Sequence, residues 1–459
     1  MTSACGSSEE TAATVGSAGA VTGTADDEGM SGGQPGNANG GAAGSNLDPT
    51  VSSPEGGVIA SAGGGNTNAG SRDAGTTDPT QDPTTPSNVQ PGGPLELDSG
   101  CSGVFNPDQI LDLHLTLDQG DWQSILADTT YALVVQASFR CNDEPDITVG
   151  VRRKRSGGNQ KVGLKIDMNE FVVGQRHYGL RTLSLENGVS SGDNTDGAGV
   201  GALVSEYLGW RLFMLSGAIS GRAAMSRVFV NDQLVGVYVN VEQVDKTFLQ
   251  ARLGDDNGWL YKKSGGVNDG LKTHEVDMLD DPYDDYFCFF SKGGGSCAVP
   301  SAAALASDLP TRLDIPQFLR MGAVNAIIAN SDAPLFKDNN YYWYDWTGGG
   351  RIYLPWDLDT SMNANVDVFT GGVGGQVDFY TDVAFSNWED DYQGILQELL
   401  DSRFTLDTIN TELDRVESVA GSALDGDPYT TGDAGSAVAS LKGWWMNRLV
   451  EVQGQLDSH

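Results

Sequence analysis

Apolar and polar residues alternate along several stretches in the first half of the chain. Residues 111–117 carry a leucine at every second position, and residues 162–168 alternate in the same way. Successive side chains of a β-strand point to opposite faces, so this pattern predicts half-buried strands. The other stretches that we predict as strands are 131–139, 147–154, 223–231, 234–243 and 258–263.

Other stretches have a spacing of three or four residues between apolar positions, which is typical of helices. The first such stretch is 199–217, where Gly217 ends the pattern. The later predicted helices are 315–330, 392–400, 406–424 and 438–456. Strands that lie mostly before residue 264 and helices that lie mostly after it predict an α+β fold.

Three further stretches follow neither of these long patterns. Two short apolar runs flank the glycines at 348–350, so residues 341–355 are predicted to form a β-hairpin. Residues 264–300 and 363–390 are rich in Gly and polar residues, and we predict that both are loops.

Residues 1–99 lack the side chains that build a hydrophobic core. They contain no Phe, Trp or Tyr, and Arg72 is their only basic residue. Such a composition cannot bury enough apolar surface to offset the entropy of the unfolded chain. We therefore predict a disordered, acidic, Gly/Ser/Thr-rich tether over residues 1–99 and a folded domain over residues 100–459.

The overall charge and hydropathy exclude two classes of partner. The formal net charge is -35, which cannot neutralise the phosphates of a nucleic acid and also disfavours an anionic membrane surface. No stretch has the apolar length that a transmembrane helix needs. We expect neither nucleic-acid binding nor a transmembrane segment.

The five cysteines point to an exported protein. Cys5 follows the small residues Thr2, Ser3 and Ala4, which resembles the site of a bacterial lipid anchor; an incidental cysteine is the alternative. The other four form an even set, which fits two disulfides in an oxidising compartment. The predicted pairs are Cys101–Cys141 and Cys288–Cys297. We expect an extracellular or cell-surface location.

Acids and amides border the predicted hairpin. A hairpin brings its outer ends together, so polar residues on either side of it should converge. These residues are Asp332, Asn339, Asn340, Asp357 and Asp359. Carboxylate and amide oxygens without Cys or His suit Mg²⁺ or Mn²⁺, especially when phosphates complete the shell. The alternative is that Asp and Asn cluster here only because they favour turns.

A strand lysine and a helix glutamate add to these candidates. The Gly-containing turn 156–159 leads into the strand that carries Lys165, and in an ATP site such a turn covers phosphates with which the lysine pairs. An ordinary hairpin with a solvated lysine is the alternative. Glu206 lies on the predicted helix 199–217, either in solvent or as the partner of this lysine.

Several longer motifs occur in a defined order along the folded domain. They are VGVRRKRSGGNQKVGLKIDMN, RTLSLENG, VSEYLGWRLF, GVYVNVEQVDKTFL, NNYYWY and PWDLD. In this order they resemble the CotH kinase family, the spore-coat-protein-H-like secreted kinases, over nearly the whole domain. The resemblance implies an atypical, bilobal protein-kinase-like fold that uses ATP with Mg²⁺ or Mn²⁺. A β-rich N-lobe would cover about 100–265, and a mainly helical C-lobe about 266–459.

The resemblance also implies roles for individual residues. Asp332 matches the catalytic aspartate, Lys165 the lysine that pairs with phosphates, and Glu206 its helix partner. The residues that match metal ligands are Asn340, Asp357 and Asp359, where Asp359 either joins or replaces Asp357. The alternatives are Lys161 or Lys262 for Lys165, and Asn339 for Asn340. Ser205 departs from the family, which usually has Arg before the helix glutamate.

The expected function is that of a protein kinase that phosphorylates Ser or Thr on exported or cell-surface proteins. Two alternatives stay open. One is a catalytically inactive kinase-fold scaffold or adhesin, and the other is a kinase-fold enzyme that transfers a nucleotidyl or other group.

Overall fold

Most of the alternating stretches become strands of one closed barrel. The computed structural model describes residues 98–190, 193, 195–263, 270–273, 301–337, 339–346, 350–363, 366–370 and 379–459. The barrel strands are β1 (Leu111–Thr116), β2 (Val135–Cys141), β3 (Ile147–Arg153), β4 (Leu164–Asp167), β5 (Thr182–Glu186), β6 (Ala223–Val230) and β7 (Gln233–Glu242).

The barrel is closed by one parallel contact. Its strand order is β1-β2-β3-β4-β5-β7-β6, and β1 and β6 run parallel where the ends of the sheet meet. The alternating apolar side chains fill the interior, as Leu113, Val151 and Leu185 illustrate. The intervening positions of β3, β4 and β5 therefore lie on the outer surface of the barrel, which includes the surface facing the candidate site.

A second sheet of four strands contains the predicted hairpin. Its strands are β8 (Trp259–Lys263), β9 (Gly270–Thr273), β10 (Tyr341–Trp346) and β11 (Gly350–Pro355), in the order β11-β10-β8-β9. The prediction of a loop over the whole of residues 264–300 was wrong at β9, where Gly270–Thr273 pairs with β8. Four residues are too few for alternation to be visible in the sequence.

Helices form most of the remaining regular structure. They are α1 (Gln119–Ala127), α2 (Val200–Leu215), α3 (Lys246–Leu253), α4 (Ala302–Asp308), α5 (Ile315–Ile327), α6 (Pro334–Lys337), α7 (Phe379–Asn387), α8 (Glu389–Glu398), α9 (Leu406–Asp425) and α10 (Ala434–Ser458). The prediction of a loop over 363–390 was wrong at α7. Helical turns of other types cover Gly100–Gly103, Leu309–Thr311 and Leu399–Arg403.

Helix α2 is the central element of the fold. Nearly all of its residues are buried, including Glu206, because the barrel covers one side and α9 and α10 cover the other. A second hydrophobic core joins α2 to α5, to the β10–β11 hairpin and to the C-terminal helices. A polar side chain on this helix therefore lies inside the protein rather than at its surface.

The remaining structural predictions have mixed outcomes. The Cys101–Cys141 disulfide is present and ties the first helical turn to the end of β2. Cys288, Cys297 and Cys5 lie outside the described residues. In the described ranges, none of the helices has the length and hydrophobicity that a bilayer crossing requires.

Candidate functional site

The hairpin brings the predicted amide and acids to one place. Tyr341 pairs with Pro355, so Asn340 and Asp357 lie at the same end of the hairpin. The Asn340 side-chain amide donates to Oδ2 of Asp332, with an N–O distance of 3.4 Å. The loop after α5, the start of β10 and the segment after β11 thus meet, as the sequence predicted.

A network around Thr360 connects the Asp332 loop to the segment after β11. The Thr360 hydroxyl donates to Oδ1 of Asn330 at 2.7 Å, and its oxygen accepts from the backbone N–H of Asp332 at 3.3 Å. These bonds hold Asp332 next to Asp359, whose pKa is raised in part by the charge of Asp332.

Asp357 and Asp359 form a close pair of carboxyl groups. Burial, followed by the charges of Asp359 and Glu186, raises the pKa of Asp357 well above its usual value. Burial also raises the pKa of Asp359, although hydrogen bonds from Ser190 and from Asp357 oppose that rise. The Ser190 hydroxyl lies 3.1 Å from Oδ2 of Asp359. Two acids this close repel each other when both are ionised, so a bound cation would be favoured between them.

Glu206 approaches the same acids from α2. Its side chain is only 2% exposed. Burial, followed by the charges of Glu186, Asp357 and Asp359, raises the pKa of Glu206 well above its usual value, and Lys154 opposes the rise. Glu206, a site residue predicted from the sequence, therefore lies inside the acidic cluster.

Lys154 is the lysine in contact with this cluster, and the sequence analysis missed it. Its ammonium forms a salt bridge with Glu186 and lies 2.6 Å from the hydroxyl of Ser184. It also lies 5.4 Å from the ring centroid of Trp356, the residue before Asp357. In the sequence, Lys154 could have been identified from its position at the end of the predicted strand 147–154, on the face opposite to Val149 and Val151.

Lys262 reaches the same aromatic ring from the second sheet. Its ammonium lies 5.0 Å from the ring centroid of Trp356 and 5.7 Å from that of Tyr342. The charge of Lys262 lowers the pKa of Asp357 against the effect of burial. The ammonium groups of two lysines, one from each sheet, therefore lie near the ring of Trp356, directly beside Asp357.

The other two lysines have other charge partners. Lys165 is opposite Ser184, the residue that Lys154 also contacts, on the outer face of the barrel, and its charge acts on Asp245 at the start of α3. It is not among the main groups that shift the pKa of Glu206. Lys161 is fully buried, with its ammonium 2.6 Å from Oδ2 of Asp427, so its role is an internal ion pair.

The glycine-containing turn 156–159 does not present its amides to a ligand. The backbone N–H groups of Gly157, Gly158 and Asn159 donate to carbonyl oxygens of residues 189, 193 and 195. A Cβ at Gly157 would lie 2.3 Å from the carbonyl oxygen of Ser190. These glycines allow two backbone segments to approach closely, which favours the structural interpretation of the turn.

Four of the nine non-glycine residues with positive φ in the described part of the chain lie at or beside the candidate site. Asn340, Asp357 and Met362 have φ of 57°, 55° and 62°, and Ala329 has 52°. Residues other than Gly rarely adopt this left-handed conformation unless the surrounding structure imposes it, and functional sites are frequent locations. This conformation turns the backbone at Asn340 and Asp357 away from the path that a regular continuation of β10 and β11 would follow.

The oxygen ligands fit a metal that is shared with phosphates. In the described part of the chain, no three His, Cys, Asp or Glu side chains form a complete metal cage. Mg²⁺ in kinases and ATPases usually binds one or two carboxylates together with substrate phosphates and water. Asp357, Asp359 and the Asn340 amide supply that kind of partial shell.

Comparisons with known proteins give a family match and several weak structural similarities. The family model described as CotH kinase protein matches residues 155–452, well over half of the chain. The Helicobacter pylori proinflammatory kinase CtkA is 8% identical, with a TM-score of 0.31, over 63% of this chain and 92% of that chain. The HipA–HipB–operator DNA complex of Shewanella oneidensis MR-1 is 17% identical, with a TM-score of 0.26, over 60% and 59%. No curated protein matches the chain.

Proposed function

The chain belongs to the CotH kinase protein family, and from this premise we propose that it is an ATP-dependent kinase of Ser or Thr side chains on exported or cell-surface proteins. The observation that carries the proposal is the convergence of Asp332, Asn340 and Asp357 beside a lysine-flanked aromatic ring. An acceptor-orienting acid, an oxygen-rich metal shell and lysines are the parts that phosphoryl transfer requires.

The proposed domain organisation follows from the same premise. Residues 1–99 act as a tether that Cys5 attaches to a membrane through a lipid. Residues 100–459 are the catalytic domain, whose N-lobe of about 100–265 contains the barrel and whose C-lobe of about 266–459 is mainly helical. The candidate site then lies where the two lobes meet.

Each side chain has a distinct part in the proposed reaction. Asp332 accepts a hydrogen bond from the acceptor hydroxyl and orients its oxygen toward the γ-phosphorus. Asn340, Asp357 and Asp359 would hold Mg²⁺ or Mn²⁺, which neutralises phosphate charge when bound. Glu206 would keep a lysine beside the phosphates. Little covalent chemistry falls to the protein, so correct positioning of these groups is its main contribution.

The lysine that pairs with the phosphates is either Lys165 or Lys154. The family resemblance favours Lys165, whereas the contacts favour Lys154 because it acts on Glu206 and stands over Trp356. We propose Lys154 for this role. Changing Lys154 to Met should weaken ATP binding more than changing Lys165 to Met, and isothermal calorimetry with Mg-ATP measures both.

Labelled ATP tests the proposed reaction. Label transferred to protein from the γ position, and not from the α position, is the expected result. Transfer from the α position would establish a nucleotidyl transferase instead. If the protein neither binds Mg-ATP nor transfers either label, the scaffold alternative replaces the kinase.

Two substitutions separate the roles of the acids. Asp332→Asn should lower transfer by about 10²- to 10⁴-fold while Mg-ATP still binds, since it removes an orienting acid and no metal ligand. Asp357→Asn should make nucleotide binding weak and independent of metal. Asp390→Asn, at an exposed acid of α8, is the matched control. Unchanged metal dependence in both Asp357→Asn and Asp359→Asn would remove these acids from the metal site.

A further inference from the structure

A cavity of about 450 Å³ lies between the first turns of α2 and α10. Its walls include Gly201 and Ser205 of α2, Ser440 and Trp444 of α10, and Met362 from the segment after β11. The proposed kinase function assigns nothing to this cavity. The position of the cavity and the residues that line it indicate which ligand it would bind.

The cavity borders the candidate site on the side of the acids. Ser205 in its wall directly precedes Glu206. Met362 follows Asp359 by three residues, and its backbone N–H donates to the carbonyl oxygen of Ile328, four residues before Asp332. Helix α2 and the segment after β11 therefore contribute to both the cavity and the acidic cluster.

The lining suits an extended chain with small side chains. It consists largely of Gly, Ala, Ser and Thr, with Met362, Leu441 and Trp444 as the bulkier members. Ser205 is only 8% exposed, and its hydroxyl makes no hydrogen bond within the described residues. This hydroxyl lines the cavity, where the backbone of a bound peptide would accept a hydrogen bond from it.

The cavity contains little that would select charged or large residues. Asp433 is its one charged lining residue, and its side chain already accepts from the backbone N–H of Ser436 at the start of α10. A phosphate would therefore meet only a negative charge, and a basic peptide would meet a single carboxylate among these lining residues. Small, uncharged residues are the best match.

The chain itself contains a segment with this composition. Residues 1–97 include 23 Ser and Thr residues among many Gly and Ala, and they contain no aromatic side chain. The segment ends at Asp98, whose carbonyl oxygen accepts from the side chain of Asn106. Two residues later, Asp108 forms a salt bridge with Arg415 of α9.

A series of contacts connects the attachment point of this segment to α2, which lines the cavity. Glu412, one turn before Arg415, accepts from Arg211 of α2 at 3.0 Å. Arg211 is six residues beyond Ser205, which is about 9 Å along a helix. A Gly/Ser-rich stretch of 30 residues has an average span of roughly 30 Å. The segment can therefore supply acceptors at a high effective concentration.

We propose that the cavity is the acceptor subsite and that Ser and Thr residues within 1–97 of the same molecule are its substrates. This inference rests on the proposed kinase function. In the step, the acceptor Oγ forms a bond to the γ-phosphorus of ATP and the bond to the β–γ bridging oxygen breaks. ADP leaves, and the hydroxyl proton passes to the Asp332 carboxylate and then to water.

The test uses the full chain incubated with γ-labelled ATP and Mg²⁺ or Mn²⁺, followed by peptide mapping. We expect label on several Ser and Thr residues within 1–97. The fraction labelled per minute should not change over a tenfold dilution of the protein, because the reaction is intramolecular. A rate per molecule that falls with dilution, or label confined to 98–459, would overturn the proposal.

A cavity-filling substitution tests the acceptor subsite directly. A Cβ at Gly201 meets no other heavy atom within 4 Å, so Gly201→Leu places its side chain in the cavity without a backbone clash. It should reduce labelling of 1–97 at least tenfold while Mg-ATP affinity stays unchanged. Gly454→Leu is the matched control, because Gly454 also lies on a helix, is exposed and has equally open space.

The outcomes distinguish this inference from the proposed function. If the protein binds Mg-ATP and labels an added protein such as casein but not its own residues 1–97, the kinase proposal stands and the inference fails. Equal labelling by the Gly201→Leu and Gly454→Leu variants would also overturn the subsite. If no Mg-ATP binds at all, the proposed function fails first.

Discussion

Glu206 is a buried acid whose ionisation is unfavourable in the folded protein. It is buried on α2, and three neighbouring acids raise its pKa together with burial, while Lys154 alone among its main neighbours opposes them. Burying a carboxylate in this way costs free energy unless a cation compensates. A site that binds a metal–nucleotide complex would contain such uncompensated negative charge before the complex binds.

Changing Glu206 to Gln should therefore stabilise the protein at high pH. A carboxyl whose pKa is raised on folding stabilises the folded state fully only below its unfolded pKa of about 4.3, and that stability is lost as pH rises. The free energy of unfolding of the variant should exceed that of the wild type by about 0.5–2 kcal/mol at pH 8, with a smaller difference at pH 5. Urea unfolding followed by tryptophan fluorescence measures both.

The control for this experiment is Glu417→Gln, which changes an exposed acid of α9. It should show no growing difference from the wild type between pH 5 and pH 8. A Glu206→Gln variant that gains stability mainly at pH 5 would contradict the assigned direction of the pKa shift.

At the level of elements, the Asp332 loop depends on a distant helix. Arg448 of α10 is buried and donates to the carbonyl oxygens of Ala326 and Ile327, at 2.8 and 3.2 Å. These are among the last carbonyls of α5, and the Ala326 carbonyl also accepts from the backbone N–H of Ala329. Helix α10 thereby sets where α5 ends, and the loop that carries Asp332 begins from that point.

Changing Arg448 to Met should impair turnover more than binding. Loss of these two hydrogen bonds lets the Asp332 loop shift, and a displacement of about 1 Å in a catalytic group can cost on the order of 10²-fold in rate. We expect a decrease in kcat of about 10- to 100-fold with little change in the Kd for Mg-ATP. Arg448→Lys, which keeps a donor, should recover part of kcat.

Asn447→Met, at an exposed neighbour on the same helix, controls for the substitution itself. Thermal unfolding of each variant shows whether the fold persists. A folded Arg448→Met variant with normal kcat would show that α10 does not position the loop.

At the level of the whole molecule, one buried ion pair joins the barrel to the C-terminal helices. Lys161 follows the 156–159 turn, and Asp427 lies between α9 and α10. Oδ2 of Asp427 accepts from the Lys161 ammonium at 2.6 Å and from the backbone N–H of Val237 at 2.7 Å. Burial lowers the pKa of Lys161, while the charge of Asp427 opposes that effect.

Breaking this pair from one side should strongly destabilise the protein. Lys161→Met leaves the buried Asp427 without its cation, and such losses cost about 3–5 kcal/mol. Adding Asp427→Asn to this variant removes the unpaired charge and should restore part of the stability. Urea unfolding of the two variants provides the measurement, and a loss below about 1 kcal/mol for Lys161→Met would show that the pair does not hold the halves together.

The sequence by itself determined the features that depend on near neighbours in the chain. Alternation located β1, β4 and the strands around the Asn231 turn, because a strand with one buried face must alternate. The hairpin at 341–355 was predictable from its glycine turn, and so was the approach of Asn340 to Asp357, since a hairpin joins its own ends. The motifs were specific enough to identify the family.

Only the tertiary structure decided which lysine meets the acids. Lys154 and Lys165 both lie on the outer face of the barrel, so alternation cannot choose between them. The choice depends on how the barrel packs on α2 and on where the segment of Asp357 and Asp359 passes. For the same reason, the sequence could not predict that Lys161 pairs with Asp427, which is 266 residues away. Contacts between distant segments are set by the packing of whole elements, and no local pattern records them.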